Sequence, residues 1–396
     1  MIVVGLDWGR VSHCYAVLDA SGRLLTEGKV ANQILDLEAW VRSVEPFQDA
    51  DQVVRLAVES GNGLSIPVEE ICKARGWHVV AVGADAVKAY RTAVLRKNNK
   101  TDTLDALAIA HLGAAADSHG SDARSRPQRR KLRRATRDRD QLSKEKTRIT
   151  NRLRELIAEF WPDATTERFP ALDTAALLHL FEHHSDPQTW AKMGVNGVST
   201  LLVGARVRTR SEHIEKLVAL AELYRPVLSS DEMKVILAEV RGATRRLRHC
   251  NEELVDAERL IALLCQGDKA VEIVDEIPGA GLVLASAIVA EIQDINNFPS
   301  EAHLASYAGL ALKRHQTGKS SDYQTPQLRS NRRLKHYMLL LAMSNATRSP
   351  VSKRYHDKKI LSKKPLQARR AVARQLVRVI YRSLKRSQPP GCEKPL

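Results

Sequence analysis

The sequence predicts an α/β domain at the N-terminus, a long helical, coiled-coil-like middle region and a mainly α-helical C-terminal domain. Three observations carry this. Short apolar runs separated by turn residues fill the first 115 or so positions. From about Arg129 to Phe160 the chain is dense in Arg, Lys and Glu, with apolar residues at helical intervals. A Pro-Gly-x-Gly turn then opens an apolar helix within 276–292. At 396 residues the chain exceeds one ordinary core, so several domains are expected. We divide it at 1–120, 121–268 and 269–396.

The first element, IVVGLDW, is an apolar run ending in an acid. CYAVLD follows as a second strand, Ser21-Gly22 makes a turn, and LLTEGKV is a third, which together form a β-meander. Residues 34–45 have helical spacing. VVRLAVE (53–59) is continuous enough for a central buried strand, and Ser60-Gly61-Asn62-Gly63 breaks it. A helix to about Arg75 and the strand HVVAVGA (78–84) complete a parallel pair with a helical crossover. A helix carrying Asp102 and Asp105 closes the unit. Residues 116–128 are polar and breaker-rich, a linker.

In the middle region Leu132, Leu142, Ile149, Leu153 and Ile157 recur at intervals of three, four or their multiples. A second such stretch spans about 210–265, with mixed helix and loop at 165–205 between them, so an antiparallel helical hairpin is expected. In the C-terminal domain, the Pro-Gly-x-Gly turn resembles half of a helix-hairpin-helix, whose backbone N–H groups face a phosphate. KRHQTGKSSDYQTPQLRSNRRLKHYM (313–338) is basic and breaker-rich and opens into a helix; 352–387 is a strongly basic helical tail.

Composition narrows the function. Lys and Arg number 62 against 46 acids, a formal charge of +16, which favours a polyanionic partner, nucleic acid above all. The five cysteines are scattered with no CxxC pair, which speaks against structural zinc and a disulfide framework. The start, MIVVGLDWGR, is unlike a signal peptide. No apolar run approaches the roughly 20 residues that cross a bilayer. We expect a cytoplasmic, nucleoid-associated protein with no membrane partner.

Four acids stand out. Asp7 ends the first strand and Glu59 the central one, each followed by a Gly-containing turn. Asp102 and Asp105 share a helix face. Each has a structural alternative: a bond to the turn at Gly9, a cap on the helix near Gly63, a first-turn acid favoured by the helix dipole, an exposed acid. Together they suggest carboxylates gathered round a cation. Hard oxygen ligands select Mg²⁺ or Mn²⁺, and two such ions about 4 Å apart can clamp the attacking and leaving oxygens of a phosphodiester.

VVGLDWG, AVE(SGNG) and KTDTLDA, in this order, resemble the RuvC-like (RNase H-like) catalytic domain of the IS110/IS1111 transposases and the related Piv DNA invertase. That family's D-E-D-D set matches at Asp7, Glu59, Asp102 and Asp105. IPGAGLVLASAIVAEI and ASYAGLALKRHQTGKSS…RSNRRLKHYMLLLA resemble its C-terminal transposase domain. The likeness covers about 1–115 and 270–387. It implies a DNA transposase or site-specific recombinase of an insertion sequence, acting on double-stranded element ends and target. It also implies a structured guide RNA from the element, and a homodimer or homotetramer.

The resemblance further implies a serine nucleophile in the C-terminal domain, forming a covalent protein–DNA ester. Where the family has a serine before the Gly, this chain has Thr317. Ser320 matches the second serine and Ser321 adjoins it, so Ser320 is the chosen nucleophile, with Thr317 and Ser321 as alternates. Ser330 stands in place of a family Gly and is expected to be structural. Arg314, Lys319, Arg329, Arg332 and Arg333 surround the loop as candidate phosphate ligands. Lys100, before the acid pair, would contact DNA or offset charge, and Trp8 is expected in the core.

Three other classes meet the same residues. A RuvC-like metal-dependent endonuclease needs the four acids but no serine, so Ser320→Ala would leave cleavage intact. An actin-like sugar kinase also opens V-G-L-D-x-G but needs a second Gly-rich motif, which is lacking. An architectural DNA-binding protein would show no Mg²⁺-dependent strand exchange.

Overall fold

The computed structural model describes residues 1–47, 53–59, 63–95, 101–116, 127–165, 171–317, 321–326, 330–362 and 364–387. The chain separates into two compact units: Met1–Arg130 with 293–299, and Lys131–Ile292 with 300–387.

The first unit is built on β1 (Ile2–Asp7), β2 (Ser12–Leu18), β3 (Leu24–Ala31), α1 (Ile34–Val44), β4 (Val54–Glu59), α2 (Ile66–Ala74), β5 (His78–Val82), α3 (Ala84–Ala93) and α4 (Asp102–Ala115). One sheet runs β3-β2-β1-β4-β5. β1, β2 and β3 pair antiparallel, as the meander predicts. β4 runs parallel to both β1 and β5, as a helical crossover requires. Period-two alternation splits each strand between two cores. Ile2, Val4, Leu6, Leu56 and Val58 pack with Leu37, Trp40 and Val41 of α1 and Val68 and Cys72 of α2. The opposite face carries Ala57, Val80 and Val82 with Ala108 and Ile109 of α4.

α4 lies unusually close to the sheet because glycines meet it. A Cβ on Gly5 would come 2.2 Å from the Ala106 carbonyl oxygen, and one on Gly113 would come 2.3 Å from Ala57 Cβ. These contacts also fix direction. Gly113 lies near Val3 and Ala57, and Ala106 and Ala110 lie near Gly5. α4 therefore runs antiparallel to β1, and its first turn reaches the strand's Asp7 end.

Among the described residues the second unit is helical apart from one hairpin. α5 (Pro127–Phe160) begins it, followed by α6 (Ala175–His183), α7 (Pro187–Gly204), α8 (Ser211–Leu223), α9 (Ser230–Leu264), α10 (Lys269–Asp275), α11 (Gly281–Ile292) and α12 (Glu301–Tyr307). Then come β6 (Leu312–Thr317), β7 (Ser321–Pro326), α13 (Arg332–Arg348), α14 (Pro350–Ile360) and α15 (Pro365–Arg386). α5 and α9 are antiparallel: Arg152 meets Glu239, the Cys250 thiol meets the Leu142 carbonyl, and Arg139 meets Glu258. The insertion between them adds Trp161, Phe181 and Trp190 to a core shared with Leu153, Ile157, Val240 and Leu247.

Two details depart from the sequence expectation. The stretch 210–265 is two helices, because Pro226 interrupts it and Ser229 starts α9 through a capping box with Glu232. The basic loop after 312 is a two-stranded antiparallel hairpin. Among the described residues no helix is long and apolar enough to cross a membrane.

Candidate active site

Asp7 and Glu59 end neighbouring strands. The β1–β4 register runs from Ile2↔Val54 to Leu6↔Val58, so its continuation sets Asp7 beside Glu59. Both belong to the face that α4 covers, since they share the alternation of Gly5 and Ala57. Asp102 stands exposed in the first turn of α4, where Thr101 caps the helix by accepting from the Leu104 N–H at 3.3 Å. The helix dipole favours an acid there.

The fields of Asp7 and Asp102 overlap at Cys14, which lies opposite Asp7 in the β1–β2 pairing and opposite Lys29 in the β2–β3 pairing. Burial pushes the Cys14 thiol up, Lys29 opposes that, and Asp102 and Asp7 each add to it. Asp7 and Asp102 thus act on one point although 95 positions separate them (102 − 7).

Asp105 differs. It is buried, and the Arg91 guanidinium from α3 donates to its carboxylate. Arg91 is itself buried, and its Nε has no hydrogen-bond partner. Sequence reasoning missed Arg91, which looks like any cation on an amphipathic helix. It also missed His13. The Gly9 N–H donates to His13 Nδ1 at 3.1 Å, and His13 Nε2 meets Asn32 Oδ1 at 3.2 Å. Burial lowers the affinity of His13 for a proton, against a smaller effect of Asn32, so neutral imidazole holds the turn after Asp7. Trp8 Nε1 is buried without a hydrogen-bond partner.

Among the described residues no three His, Cys, Asp or Glu side chains form a cluster tight enough to hold a metal. Asp7, Glu59 and Asp102 still supply the hard oxygen donors that Mg²⁺ prefers. In that respect the residues present fit the ion, with Asp105 committed to Arg91.

In the second unit, Thr317 and Ser321 face each other as the last backbone pair of the β6–β7 hairpin. Arg314 lies in β6. Lys100, Lys319, Ser320 and Arg329 lie outside the described residues. Arg332 is exposed at the start of α13, whereas Arg333 donates to Asp140 Oδ2 at 2.8 Å.

The hairpin rises from a buried polar network. The Asn331 N–H donates to the Tyr307 carbonyl at 2.7 Å, joining the chain just before the hairpin to the chain just after it. Asn331 Nδ2 donates to Glu291 Oε2 at 2.8 Å, and its Oδ1 caps α13 by accepting from the N–H groups of Arg333 and Leu334. The Glu291 side chain is fully buried and takes two bonds from Arg137, at 2.7 and 3.1 Å, and one from Arg133 at 3.2 Å. Burial alone would raise its pKa; Arg137, Arg133 and Asn331 outweigh that and hold it below the usual carboxylate range. Ser330 packs on Gly309, which has φ 64°, and a Cβ on Gly309 would meet Ser330 Oγ at 2.5 Å.

The chain matches known proteins in two places. Residues 4–162 match a family described as transposase, of the IS110 DEDD type, and residues 271–357 match the transposase IS116/IS110/IS902 family. The IS116 uncharacterized 44.8 kDa protein of Streptomyces clavuligerus is 28% identical over 90% of this chain and 88% of its own length. The IS900 uncharacterized 42 kDa protein of Mycobacterium paratuberculosis is 24% identical over 96% of this chain and 95% of its own. The IS110 uncharacterized 43.6 kDa protein of Streptomyces coelicolor is 28% identical over 62% and 60%. T. thermophilus RuvC, solved in complex with a Holliday junction substrate, is 22% identical over 32% of this chain and 96% of that one. Its TM-score of 0.22 is too low to equate the folds. With both matched segments in order along the chain, the protein belongs to the IS116/IS110/IS902 family of DNA transposases.

Proposed function

We propose that this transposase cuts and rejoins DNA at the ends of an insertion sequence and at its target, using Asp7, Glu59, Asp102 and Asp105 with Mg²⁺ in a RuvC-like domain. A hydroxyl of the β6–β7 hairpin is the attacking group. The observation that carries it is the convergence in the first unit: two strand-end acids on the sheet face that α4 covers, with the first turn of α4 above them. The strand order β3-β2-β1-β4-β5 supports the RuvC-like reading.

Each residue has a part. Asp7, Glu59 and Asp102 would hold Mg²⁺, which when bound lowers the cost of charge on phosphate oxygens. Asp105, pinned by Arg91, sets the orientation of the α4 turn. The Ser320 hydroxyl gives up its proton as its oxygen bonds to phosphorus; the bond from phosphorus to a deoxyribose oxygen breaks, that oxygen leaves with the electron pair and takes up a proton, and the ester keeps the bond energy for rejoining. Thr317 and Ser321 are the alternates. Lys100, Arg314, Lys319, Arg329 and Arg332 grip the backbone. A structured RNA from the element selects donor and target, and a dimer or tetramer handles the strands, with the 121–268 helices serving assembly and RNA.

The test combines protein, RNA transcribed from the element's flanks, Mg²⁺ and element-end DNA. A protease-sensitive protein–DNA adduct is expected, absent in Asp7→Ala and in Ser320→Ala. Survival in Ser320→Ala with loss in Thr317→Ala moves the nucleophile. Cleavage with no adduct under any condition makes water the attacking group, and the protein a nuclease.

A further inference from the structure

The second unit is rich in cations, and many of the partly buried ones are matched. Arg133 and Arg137 share Glu291, Arg139 takes Glu258 and Arg333 takes Asp140, while the exposed Arg378 and Arg382 both take Glu301. Arg332, Lys335 and Arg370 break the pattern. None has an acidic partner among the described residues, yet they are drawn together.

Arg332 and Lys335 are three apart on α13 and share a face. Arg370 comes from α15, which packs along α13. Lys335 and Arg370 are half-buried, and Arg370 Nε is buried without a hydrogen-bond partner. The Lys335 stem lies against Gly309, its Cδ 3.4 Å from where a Gly309 Cβ would stand, and Ser330 packs on the same glycine. Burial lowers the Lys335 ammonium below the usual lysine range, and Arg370 and then Arg332 lower it further. Like charges crowded in a partly dry place disfavour one another. An anion between them reverses the sign of the interaction, and a phosphodiester is the anion that a transposase meets.

We propose that Arg332, Lys335 and Arg370 form a phosphate site at the root of the β6–β7 hairpin, holding the backbone of the DNA strand presented to that hairpin. The site rests on the function proposed above, because the hairpin is what brings a strand to this place. It adds Lys335 and Arg370 to the grip and excludes Arg333, whose charge is met by Asp140. DNA is favoured over RNA because the cluster borders Gly309 and Ser330, the two ends from which the hairpin rises.

The test uses full-length protein. Wild type, Lys335→Gln, Arg370→Gln, the double variant and Lys192→Gln, a distant exposed cation on α7, are titrated with a labelled DNA duplex and with a labelled RNA stem-loop. Each titration is repeated over a salt series, and each protein is melted alone. A lost phosphate contact flattens the log-affinity against log-salt slope for duplex DNA by about 0.9. Each single variant is therefore expected to lose about one unit of DNA slope, and the double variant about two. Their melting temperatures should equal or exceed that of wild type, because repulsion is relieved. Lys192→Gln should match wild type. Unchanged DNA slopes with a lowered melting temperature would make the cluster structural and overturn the proposal. So would a loss confined to RNA. If wild type bound no DNA at all, the proposed function would fail and this site with it.

Discussion

Asp102 and Asp105 are three residues apart and live in different surroundings. Asp102 is exposed at the mouth of the sheet, and Asp105 is buried against Arg91. Removing one partner of a buried ion pair leaves an uncompensated charge and costs about 3–5 kcal/mol. Arg91→Met is expected to destabilise the first unit by that order in chemical denaturation without metal. Added Mg²⁺ should restore more melting temperature to Arg91→Met than to wild type, because the freed carboxylate is offered a cation. The same comparison with Arg91→Met/Asp105→Asn should show no extra recovery; equal recovery in both would remove Asp105 from the ion's reach. The sequence marks both aspartates through their motif. It does not mark their difference, because the residue that separates them comes from another helix.

At the scale of elements, the contact of α4 with β1 decides whether the acids meet. It depends on small residues: Gly5 on the strand, and Ala106, Ala110 and Gly113 on the helix. Gly5→Ala puts a methyl group into backbone with no room to yield. Overpacking typically costs about 1–3 kcal/mol, and the helix must lift to relieve it. The expected result is a lower melting temperature together with loss of strand cleavage, while duplex binding by the second unit persists. Full cleavage by Gly5→Ala would show that the acids tolerate a displaced α4. The strands and α4 were legible because apolar runs, turns and the acid motif coincide there. The β6–β7 hairpin was not: KRHQT and SDYQT carry charge and polarity on both faces, so no alternation announces a strand. The break before α9 was written in Pro226 and the Ser229–Glu232 capping pair, but the charge density on either side hid it.

For the whole molecule, two compact units predict unfolding that is not two-state. Calorimetry should resolve two transitions, with Gly5→Ala lowering one and changes at Glu291 moving the other. Glu291 also gives the second transition a pH dependence. Its folded pKa lies below its unfolded one, so its contribution is complete above about pH 4.3 and is lost as the pH falls through the folded value. Glu291→Gln should flatten that acid limb, and an unchanged limb would assign it to other carboxylates. Composition made a polyanionic partner legible at this scale. Which cations remain available to such a partner was not legible, since Arg332 and Arg333 are adjacent and only one of them meets an acid.

The knot of Asn331 on Tyr307 has a further consequence. The chain passes Tyr307 on its way into the hairpin and Asn331 on its way out, and the bond between the two closes that doorway over the buried Glu291. Entry and exit are thereby tied to one carboxylate, and a disturbance at either strand's foot is felt at the other's.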